Sequence, residues 1–308
     1  MAPEKTFRAF SQDQGAMYAQ ARLKYHPQLY QRLLSHHGAT GGDFDTVLDV
    51  GCGPGTAISS IHTQFQHAIG VDPSPGMIQA AQSLFGDSNT STIRFVASTA
   101  EDLASIPDGS VDLIIAANAA HWFDMARFWA RAAQVVKPAG TVAMWGGGPV
   151  TVGSRVRGRA GVQAAIDRLE ARVAEFYEPG NQLVRGLYAD LALPWTLAEP
   201  VAGFERASFV RWEWGTDTEG AFPAAEMYER HVEVDLESLG KIMDTASPVI
   251  RWREAHPDAV GTETDVVSML RSEIEQAMRD AGCKEEEEMR LEGGVSGCML
   301  VVKRGKGC

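Results

Sequence analysis

The sequence predicts an α/β protein with a doubly wound, mostly parallel sheet that carries helices on both faces. Two observations support this prediction. Short apolar runs alternate with helical stretches between residues 46 and about 146, and a glycine-rich turn follows the first of those runs. Strands that alternate with helices at this spacing are typical of parallel sheets. Such sheets bind ligands beyond the carboxyl ends of their strands, so the loops that follow the strands should hold the chemistry.

The predicted strands are short runs rich in apolar and β-branched residues, bounded by turn-forming residues. They cover residues 47–50, 68–71, 93–96, 111–116, 141–145, 207–214 and 297–302. Helices are expected between the core strands, near residues 55–65, 75–85 and 124–136. The glycine-proline run at residues 146–149 is expected to end this core.

The segments on either side of the core are mainly helical. Residues 16–37 have a helical pattern that Pro27 interrupts, which predicts two helices with a bend. Further helices are predicted after the core, at residues 160–177 and at about 223–239, 241–254 and 263–281. The acidic run at 285–288 predicts a solvated loop. We therefore predict a helical cap (1–45), a cofactor-binding core (46–150) and a third region (151–308) of lid helices with the last strands of the sheet.

Composition limits the classes of partner. The chain has 308 residues, of which 44% are hydrophobic and 22% charged, and its net charge is −12. This charge disfavours a general nucleic-acid binder or a binder of acidic membranes, and an anionic substrate would need its own cationic pocket. A membrane span is not expected, because no run of 18 apolar residues occurs. Four widely spaced cysteines indicate free thiols and a cytoplasmic location, and no metal site is expected.

The glycine-rich turn has the spacing Gly51-x-Gly53-x-Gly55, followed by Thr56. A nicotinamide fingerprint would be Gly-x-Gly-x-x-Gly, with a helix N-terminus aimed at a pyrophosphate. Here the third glycine comes one residue early. By itself this spacing is a weak signal, because a strand-turn-helix with structural glycines has the same appearance.

Two acidic residues narrow the choice of ligand. Asp72 ends the next predicted strand and can accept both hydroxyls of a ribose, although it could also cap the helix that follows Pro73. Asp49 stands two residues before Gly51, where it can organise the loop amides or meet a ligand's ammonium group through water. A carboxylate there would not attract a pyrophosphate, whereas it would attract the cationic amino-acid end of a ligand. The pair therefore favours S-adenosylmethionine over a dinucleotide.

Four motifs taken together resemble the class I S-adenosylmethionine-dependent methyltransferases. Residues 47–55 are similar to motif I, 70–77 to the next motif, 98–103 to the adenine-edge motif and 108–114 to the run into the fourth strand. In the third motif Thr99 stands where many members have Asp. The resemblance implies a seven-stranded Rossmann-like methyltransferase fold with S-adenosylmethionine as cofactor. It implies these cofactor-binding residues: Tyr18, Asp49, Gly51, Gly53, Asp72, Met77, Thr99, Ala100, Glu101 and Asn118.

A narrower set of motifs resembles the fungal trans-aconitate methyltransferase group. The set comprises residues 120–124, residues 142–146, the turn at 178–180, the helix around Trp252 and the pattern Tyr18-Ala19-x-x-Arg22-x-x-Tyr25. Two positions differ from that group: Asn181 replaces the usual Arg after Pro-Gly, and Ala246 replaces an aromatic residue. Both differences concern the methyl acceptor rather than the fold or the cofactor.

Methyl transfer from a sulfonium needs a nucleophile held in line and a site that excludes water. A carboxylate nucleophile is already ionised at pH 7, so it needs cationic groups around it rather than a base. An alcohol, thiol or amine would need a base. We expect His121 and Trp122 as catalytic residues, with His121 as base or substrate donor, or as a residue that orders its loop. Trp122, Arg22, Tyr25 and Arg185 are the expected substrate-binding residues.

The sequence therefore predicts a methyltransferase that O-methylates a small, anionic organic acid similar to trans-aconitate. Methylation of a secondary metabolite at oxygen, nitrogen or sulfur, with help from His121, is the first alternative. A non-catalytic S-adenosylmethionine-binding protein is the second, and a nicotinamide dehydrogenase is the most distant. No nucleic-acid or membrane partner is expected, and the chain should be a monomer or a weak dimer. Asn118 either bonds the cofactor's amino-acid end or serves as a strand-end turn.

Overall fold

A computed structural model describes residues 5–85, 93–215, 221, 234–285 and 289–306. In these ranges the strands form one seven-stranded sheet with the order β3-β2-β1-β4-β5-β7-β6. The strands are β1 (Thr46–Val50), β2 (His67–Asp72), β3 (Ile93–Ala97), β4 (Val111–Ala117), β5 (Val136–Val152), β6 (Val210–Trp214) and β7 (Gly293–Lys303). Strands β1 to β5 are parallel, and β7 runs antiparallel to both of its neighbours. The predicted fold class is confirmed.

Helices cover both faces of the sheet, and several of the later helices share a separate buried core. They are α1 (Gln12–Ala21), α2 (Pro27–Ala39), α3 (Ile58–Ile61), α4 (Pro75–Phe85), α5 (Met125–Val135), α6 (Arg159–Arg172), α7 (Pro179–Arg185), α8 (Leu236–Asp244), α9 (Ser247–Ala255) and α10 (Val266–Asp280). The predicted break near Pro27 is confirmed, because that proline occupies the first turn of α2 and α1 ends at Ala21. Among the described residues, no helix has both the length and the apolar character that crossing a bilayer requires.

Several element boundaries differ from the sequence prediction, and the helix predicted at 241–254 is divided between α8 and α9. The glycine run at 146–149 does not end the core strand: β5 continues to Val152, because antiparallel β7 pairs with Gly146 and Gly147 and again from Val150 onward. The strand predicted from residue 207 begins at Val210, after a short 3₁₀ turn. The helix predicted at 223–239 begins at Leu236 in the described part, and residues 223–233 lie outside it, as do 286–288 of the acidic run.

The core residues alternate along the strands, so that each face of the sheet packs against different helices. Leu48 and Val50 point to the face covered by α5, whereas Val47 belongs to the cluster with α2 and α3. A third buried cluster joins α6, α8, α9 and α10. This cluster is consistent with a lid that has its own core, and the division at residues 45 and 150 stays a prediction.

The order of the strands positions the ligand site. The chain moves outward from β1 to β3 and then returns to place β4 on the other side of β1. A crevice opens at the carboxyl ends of strands where the order reverses in this way. The loops after β1 and β4 meet there, and they carry Gly51, Gly53, Asn118, His121 and Trp122.

Candidate active site

A cavity of about 390 Å³ lies at this edge of the sheet. Its floor comes from the loops after β1, β2 and β4, and its walls come from the segment at residues 7–25, from α7 and from the α8–α9 region. This size is within the range of small-molecule and cofactor sites. The fold therefore brings together the predicted core loops, the predicted cap and the predicted lid around one cavity.

The glycine loop is folded tightly against the end of β2. Gly51, Gly53 and Gly55 have φ values of +70°, +52° and +87°, which side chains rarely adopt. A Cβ atom on Gly51 would lie 2.5 Å from the Cβ of Ala119, in the loop after β4. The backbone amides of Gly51 and Cys52 donate to the carbonyl of Val71. Glycine is thus needed both for the backbone conformation and for the close approach of the two loops.

Asp72 holds this loop and borders the cavity at the same time. Its Oδ2 accepts a hydrogen bond from the Gly53 amide (2.9 Å), and its Oδ1 accepts one from the Ser74 amide (2.8 Å). The carboxylate therefore connects the glycine loop to the start of α4. This placement, at the end of β2 and on the cavity, is the one that the motif predicted.

Asp49 lies under the floor of the cavity and is fully buried. Neither of its carboxylate oxygens has a hydrogen-bond partner in the described part of the chain. Burial raises its pKa to about 8, against the opposing effect of the nearby Ile58 amide, and the charge of Asp72 adds to the rise. A buried carboxyl without partners fits a site that receives a cationic group, as the amino-acid end of S-adenosylmethionine would provide.

The remaining predicted cofactor residues divide into two groups. Tyr18, Met77, Ala100, Glu101 and Asn118 border the cavity, as do Gly51 and Gly53. Thr99 does not border it, so the expected contact with the cofactor does not fit this placement. Its carbonyl instead accepts hydrogen bonds from the amides of Asp102 and Leu103, which closes the turn that presents Ala100 and Glu101.

Asn118 serves as a clamp at the end of β4. Its φ is +50°, its Nδ2 donates to the hydroxyl of Tyr25 (2.8 Å), and its Oδ1 accepts from the amide of Gly147 (2.9 Å). The side-chain amide is thus engaged by the protein itself. Tyr25 is buried, packs edge-to-face on Trp145 and borders the cavity. Of the two interpretations, the strand-end role is the one these contacts support.

His121 and Trp122 lie in a 3₁₀ turn after β4, and both border the cavity. The Nδ1 atom of His121 is 2.9 Å from the hydroxyl of Tyr188. Burial lowers the pKa of His121 to about 3, so the imidazole is neutral at pH 7. A general base works best with a pKa near the operating pH, so this environment disfavours the base role and leaves the donor role and the loop-ordering role. Tyr188 was missed in the sequence, where no motif marks it.

The start of α7 packs directly on this turn. A Cβ atom on Gly180 would lie 2.5 Å from the Trp122 ring and 2.7 Å from the carbonyl oxygen of His121. The Pro-Gly turn that resembled the fungal group is therefore a close contact between the lid and the predicted catalytic residues.

We expect Gly180→Ala to lower kcat/KM at least about tenfold. The added methyl group would overlap the turn that carries His121 and Trp122, and relieving such overpacking costs about 1–3 kcal/mol and displaces the turn. Gly240→Ala is the matched control, since the added Cβ would meet its nearest neighbour, Arg271, at 3.4 Å. Steady-state kinetics on both variants, with thermal unfolding to show that they fold, test this. Equal kinetics for Gly180→Ala and the native protein would contradict it.

Two arginines border the cavity on the cap side. Arg22 donates from Nη2 to the carbonyl of Thr245 (2.9 Å) and lies over the Tyr18 ring (4.8 Å), while its buried Nε has no partner in the described ranges. Arg8 follows Phe7, whose ring packs against Tyr18 (5.9 Å) and Trp122 (6.4 Å). Arg8 makes no ion pair with a described residue, and sequence reasoning missed it because no motif surrounds it.

Arg185 is placed differently from its prediction as a substrate ligand. It does not border the cavity, and its guanidinium donates to both oxygens of Glu170 (3.0 and 2.8 Å) and to the Tyr177 hydroxyl. Arg185 is directed away from the cavity because Glu170, on α6, pairs with its guanidinium. Asn181 and Ala246, the two positions that differ from the fungal group, do border the cavity. Within the described ranges no cluster of three or more His, Cys, Asp or Glu side chains is placed to hold a metal ion.

Comparison with known proteins gives the same class as the site. Residues 48–144 match the family described as the methyltransferase domain. The match assigns residues 48–144 to a methyltransferase domain, and this domain and the fold imply S-adenosylmethionine as the cofactor.

Proteins of similar sequence occur in fungi. The chain is 32% identical over 133 residues to CRG1 of Saccharomyces cerevisiae, named as a probable S-adenosylmethionine-dependent methyltransferase, covering 43% of this chain and 45% of CRG1. It is 35% identical over 132 residues to the methyltransferase tpcM of Aspergillus fumigatus, covering 43% and 40%. The matched stretches thus span less than half of these relatives. A protein of Anaeromyxobacter dehalogenans described as a type II methyltransferase shares the fold, with a TM-score of 0.58, 23% identity and coverage of 92% and 97%.

Proposed function

We propose that this protein transfers the methyl group of S-adenosylmethionine to a carboxylate oxygen of a small organic acid that carries more than one carboxylate, of the trans-aconitate kind. The observation that carries the proposal is the pair of arginines, Arg8 and Arg22, on the cap side of the cavity. The three carboxylates that border the cavity, Asp49, Asp72 and Glu101, all belong to the predicted cofactor loops. The cationic and the acidic side chains of the cavity thus come from different segments of the chain.

The charge pattern suits an acidic acceptor in an acidic protein. With a net charge of −12, the chain repels anions over most of its surface, so an acid is held only where cations are concentrated. Arginine binds carboxylates in a bidentate geometry. The Nε of Arg22 is buried without an acceptor, and a carboxylate in the cavity would supply one.

The chemistry requires positioning rather than proton transfer. Bound in this cavity, S-adenosylmethionine supplies a methyl group activated by the positive charge on its sulfur. A carboxylate acceptor would take this methyl group directly on its ionised oxygen, with the sulfur as leaving group, so no residue of the chain would have to move a proton. Arg8 and Arg22 hold the acceptor's other carboxylates, and the rings of Phe7, Tyr18 and Trp122 exclude water. A neutral His121 is compatible with this reaction because no base is needed.

Methylation of a less polar secondary metabolite is the second candidate. A large part of the cavity wall is apolar, being lined by Leu23, Val150, Val184, Ile242, Met243 and Val295. A hydroxyl acceptor would need a base, and the low pKa of His121 argues against that residue in the role.

A cytoplasmic location and a monomeric or weakly dimeric state remain predictions.

The test is a screen of mono-, di- and tricarboxylic acids and neutral phenols for S-adenosylhomocysteine production, followed by kinetics on Arg8→Gln and Arg22→Gln. We expect each variant to raise the KM for the preferred acid about 10- to 100-fold with little change in KM for the cofactor, as the loss of a charge-assisted hydrogen bond predicts. Arg168→Gln, which removes an ion pair with Glu273 on the outer side of α6, is the control.

Three outcomes would contradict the proposal. Turnover of phenols but of no acid would favour the second candidate. An unchanged KM in both arginine variants would show that Arg8 and Arg22 do not hold the acceptor. Cofactor binding without label transfer to any acceptor in the screen or in a cell extract would favour a non-catalytic binding protein.

A further inference from the structure

The contact between His121 and Tyr188 is the best-defined polar contact of the predicted catalytic turn. Tyr188 is 2% exposed, and its hydroxyl lies 2.9 Å from Nδ1 of His121. The only side-chain hydrogen bond that His121 makes within the described ranges is this one at Nδ1, so Nε2 is not engaged there, and His121 borders the cavity. One nitrogen of the imidazole is therefore held by the protein, and the other is available to a bound molecule.

The backbone that carries Tyr188 has an unusual conformation. Leu187 and Tyr188, which follow α7, have φ values of +51° and +57°, a region that residues with side chains rarely adopt. Consecutive residues in this region persist only where the surroundings determine them, and such sites are often functional. Here the carbonyl of Leu187 accepts hydrogen bonds from Arg211 Nη2 (2.6 Å) and Cys298 Sγ (2.9 Å). Strands β6 and β7 therefore fix the turn that presents Tyr188.

The neighbouring strand leaves room for the tyrosine. A Cβ atom on Gly146 in β5 would lie 2.9 Å from the Tyr188 hydroxyl oxygen and 2.7 Å from a methyl carbon of Val184. The glycine at this position lets the phenol reach the imidazole from below the cavity. The position of the hydroxyl is thus set by β5, β6, β7 and the end of α7 together.

Elementary chemistry gives the direction of the hydrogen bond. A phenol O–H is a better donor than the N–H of a neutral imidazole, and an imidazole nitrogen is a better acceptor than a phenol oxygen. In a buried pair the stronger donor faces the stronger acceptor. The Tyr188 hydroxyl therefore donates to Nδ1, which leaves the imidazole proton on Nε2.

We propose that Tyr188 is a positioning residue that fixes His121 in the Nε2–H tautomer, so that Nε2 donates a hydrogen bond to the acceptor in the cavity. The part of this inference that concerns an anionic acceptor rests on the proposed function. A fixed Nε2–H group binds a carboxylate oxygen and cannot accept a proton from a hydroxyl, so the tautomer also selects between the two candidate reactions. In this role His121 orients the carboxylate that the arginines hold.

The tautomer can be measured without substrate. Long-range ¹H–¹⁵N correlation spectra of protein labelled in its histidines at pH 7 distinguish the two neutral tautomers, and His121→Gln assigns the signal. We expect the native protein to show Nε2–H alone and Tyr188→Phe to show a mixture. Tyr177→Phe, which removes a lid hydroxyl that accepts from Arg185, is the control and should leave the His121 signal unchanged. A native signal from the Nδ1–H tautomer would overturn the proposal.

Kinetics then separate this inference from the proposed function. We expect Tyr188→Phe to raise the KM for the preferred acid about tenfold, with a smaller change in kcat, because loss of one hydrogen bond frees the imidazole to turn. If the Nε2–H tautomer is found but no acid is methylated, the proposed function fails and the positioning role stands. If an acid is methylated and Tyr188→Phe changes neither the tautomer nor KM, the positioning role fails and the function stands.

Discussion

Replacement of Asp72 by alanine is expected to weaken the binding of S-adenosylhomocysteine about 100-fold. The carboxylate borders the cavity, where it can accept ribose hydroxyls, and it also accepts from the amides of Gly53 and Ser74. The change removes charge-assisted hydrogen bonds of about 1.5–3 kcal/mol each and frees the glycine loop. Isothermal titration calorimetry gives the affinity directly.

Two further variants make the Asp72 result interpretable. Asp72→Asn keeps the shape and one acceptor oxygen, so its loss of affinity should be smaller than that of Asp72→Ala. Asp45→Ala removes an exposed carboxylate that pairs with Lys137 near the start of β1, and its affinity should equal that of the native protein. Native affinity in Asp72→Ala would show that the acid at the end of β2 does not hold the cofactor.

The second large expected effect concerns Asp49, which should release a proton when the cofactor binds. Its pKa of about 8 means that the buried carboxyl is mainly protonated at pH 7. A cationic ligand group nearby favours the ionised form, so binding should release up to about one proton per site. The affinity for S-adenosylhomocysteine should then rise up to about tenfold per pH unit between about pH 6 and 8 and level off above.

Calorimetry in two buffers that differ in ionisation enthalpy, both at pH 7, measures this proton. The native protein should show the difference in binding enthalpy that release predicts, Asp49→Asn should show almost none, and Asp45→Asn should match the native protein. Equal binding enthalpies for the native protein in both buffers would contradict the expectation.

The same carboxyl affects the stability of the protein without cofactor. Its folded-state pKa is raised above the ordinary value of 3.8, so its contribution to stability is fully present below that value. The contribution is lost as the pH rises from there through about 8, because burying the ionised form is unfavourable. Thermal unfolding between pH 6 and 9 should therefore show a smaller loss of Tm for Asp49→Asn than for the native protein.

The sequence by itself determined the fold class, the cofactor and the positions of most cofactor loops. It could do so because these properties depend on local pattern: the alternation of strands and helices, the spacing of Gly51, Gly53 and Gly55, and an acid at the end of β2. Such features need only neighbouring residues to take shape, since glycine permits a left-handed backbone wherever it occurs. The length of β5 was not predictable in this way, because it depends on pairing with β7, about 150 residues later in the chain.

Only the tertiary structure decided what surrounds each candidate side chain. The sequence favoured Arg185 and gave no sign of Arg8, yet Arg185 faces Glu170 on α6 and Arg8 borders the cavity. The protonation state of His121 and Asp49 follows from burial, and the partner of His121 is a tyrosine 67 positions away. Burial, charge pairing and hydrogen-bond direction arise when distant segments pack, so they cannot be read from spacing alone. For this protein the sequence therefore identifies the cofactor, and the packing of distant segments determines which side chains surround it.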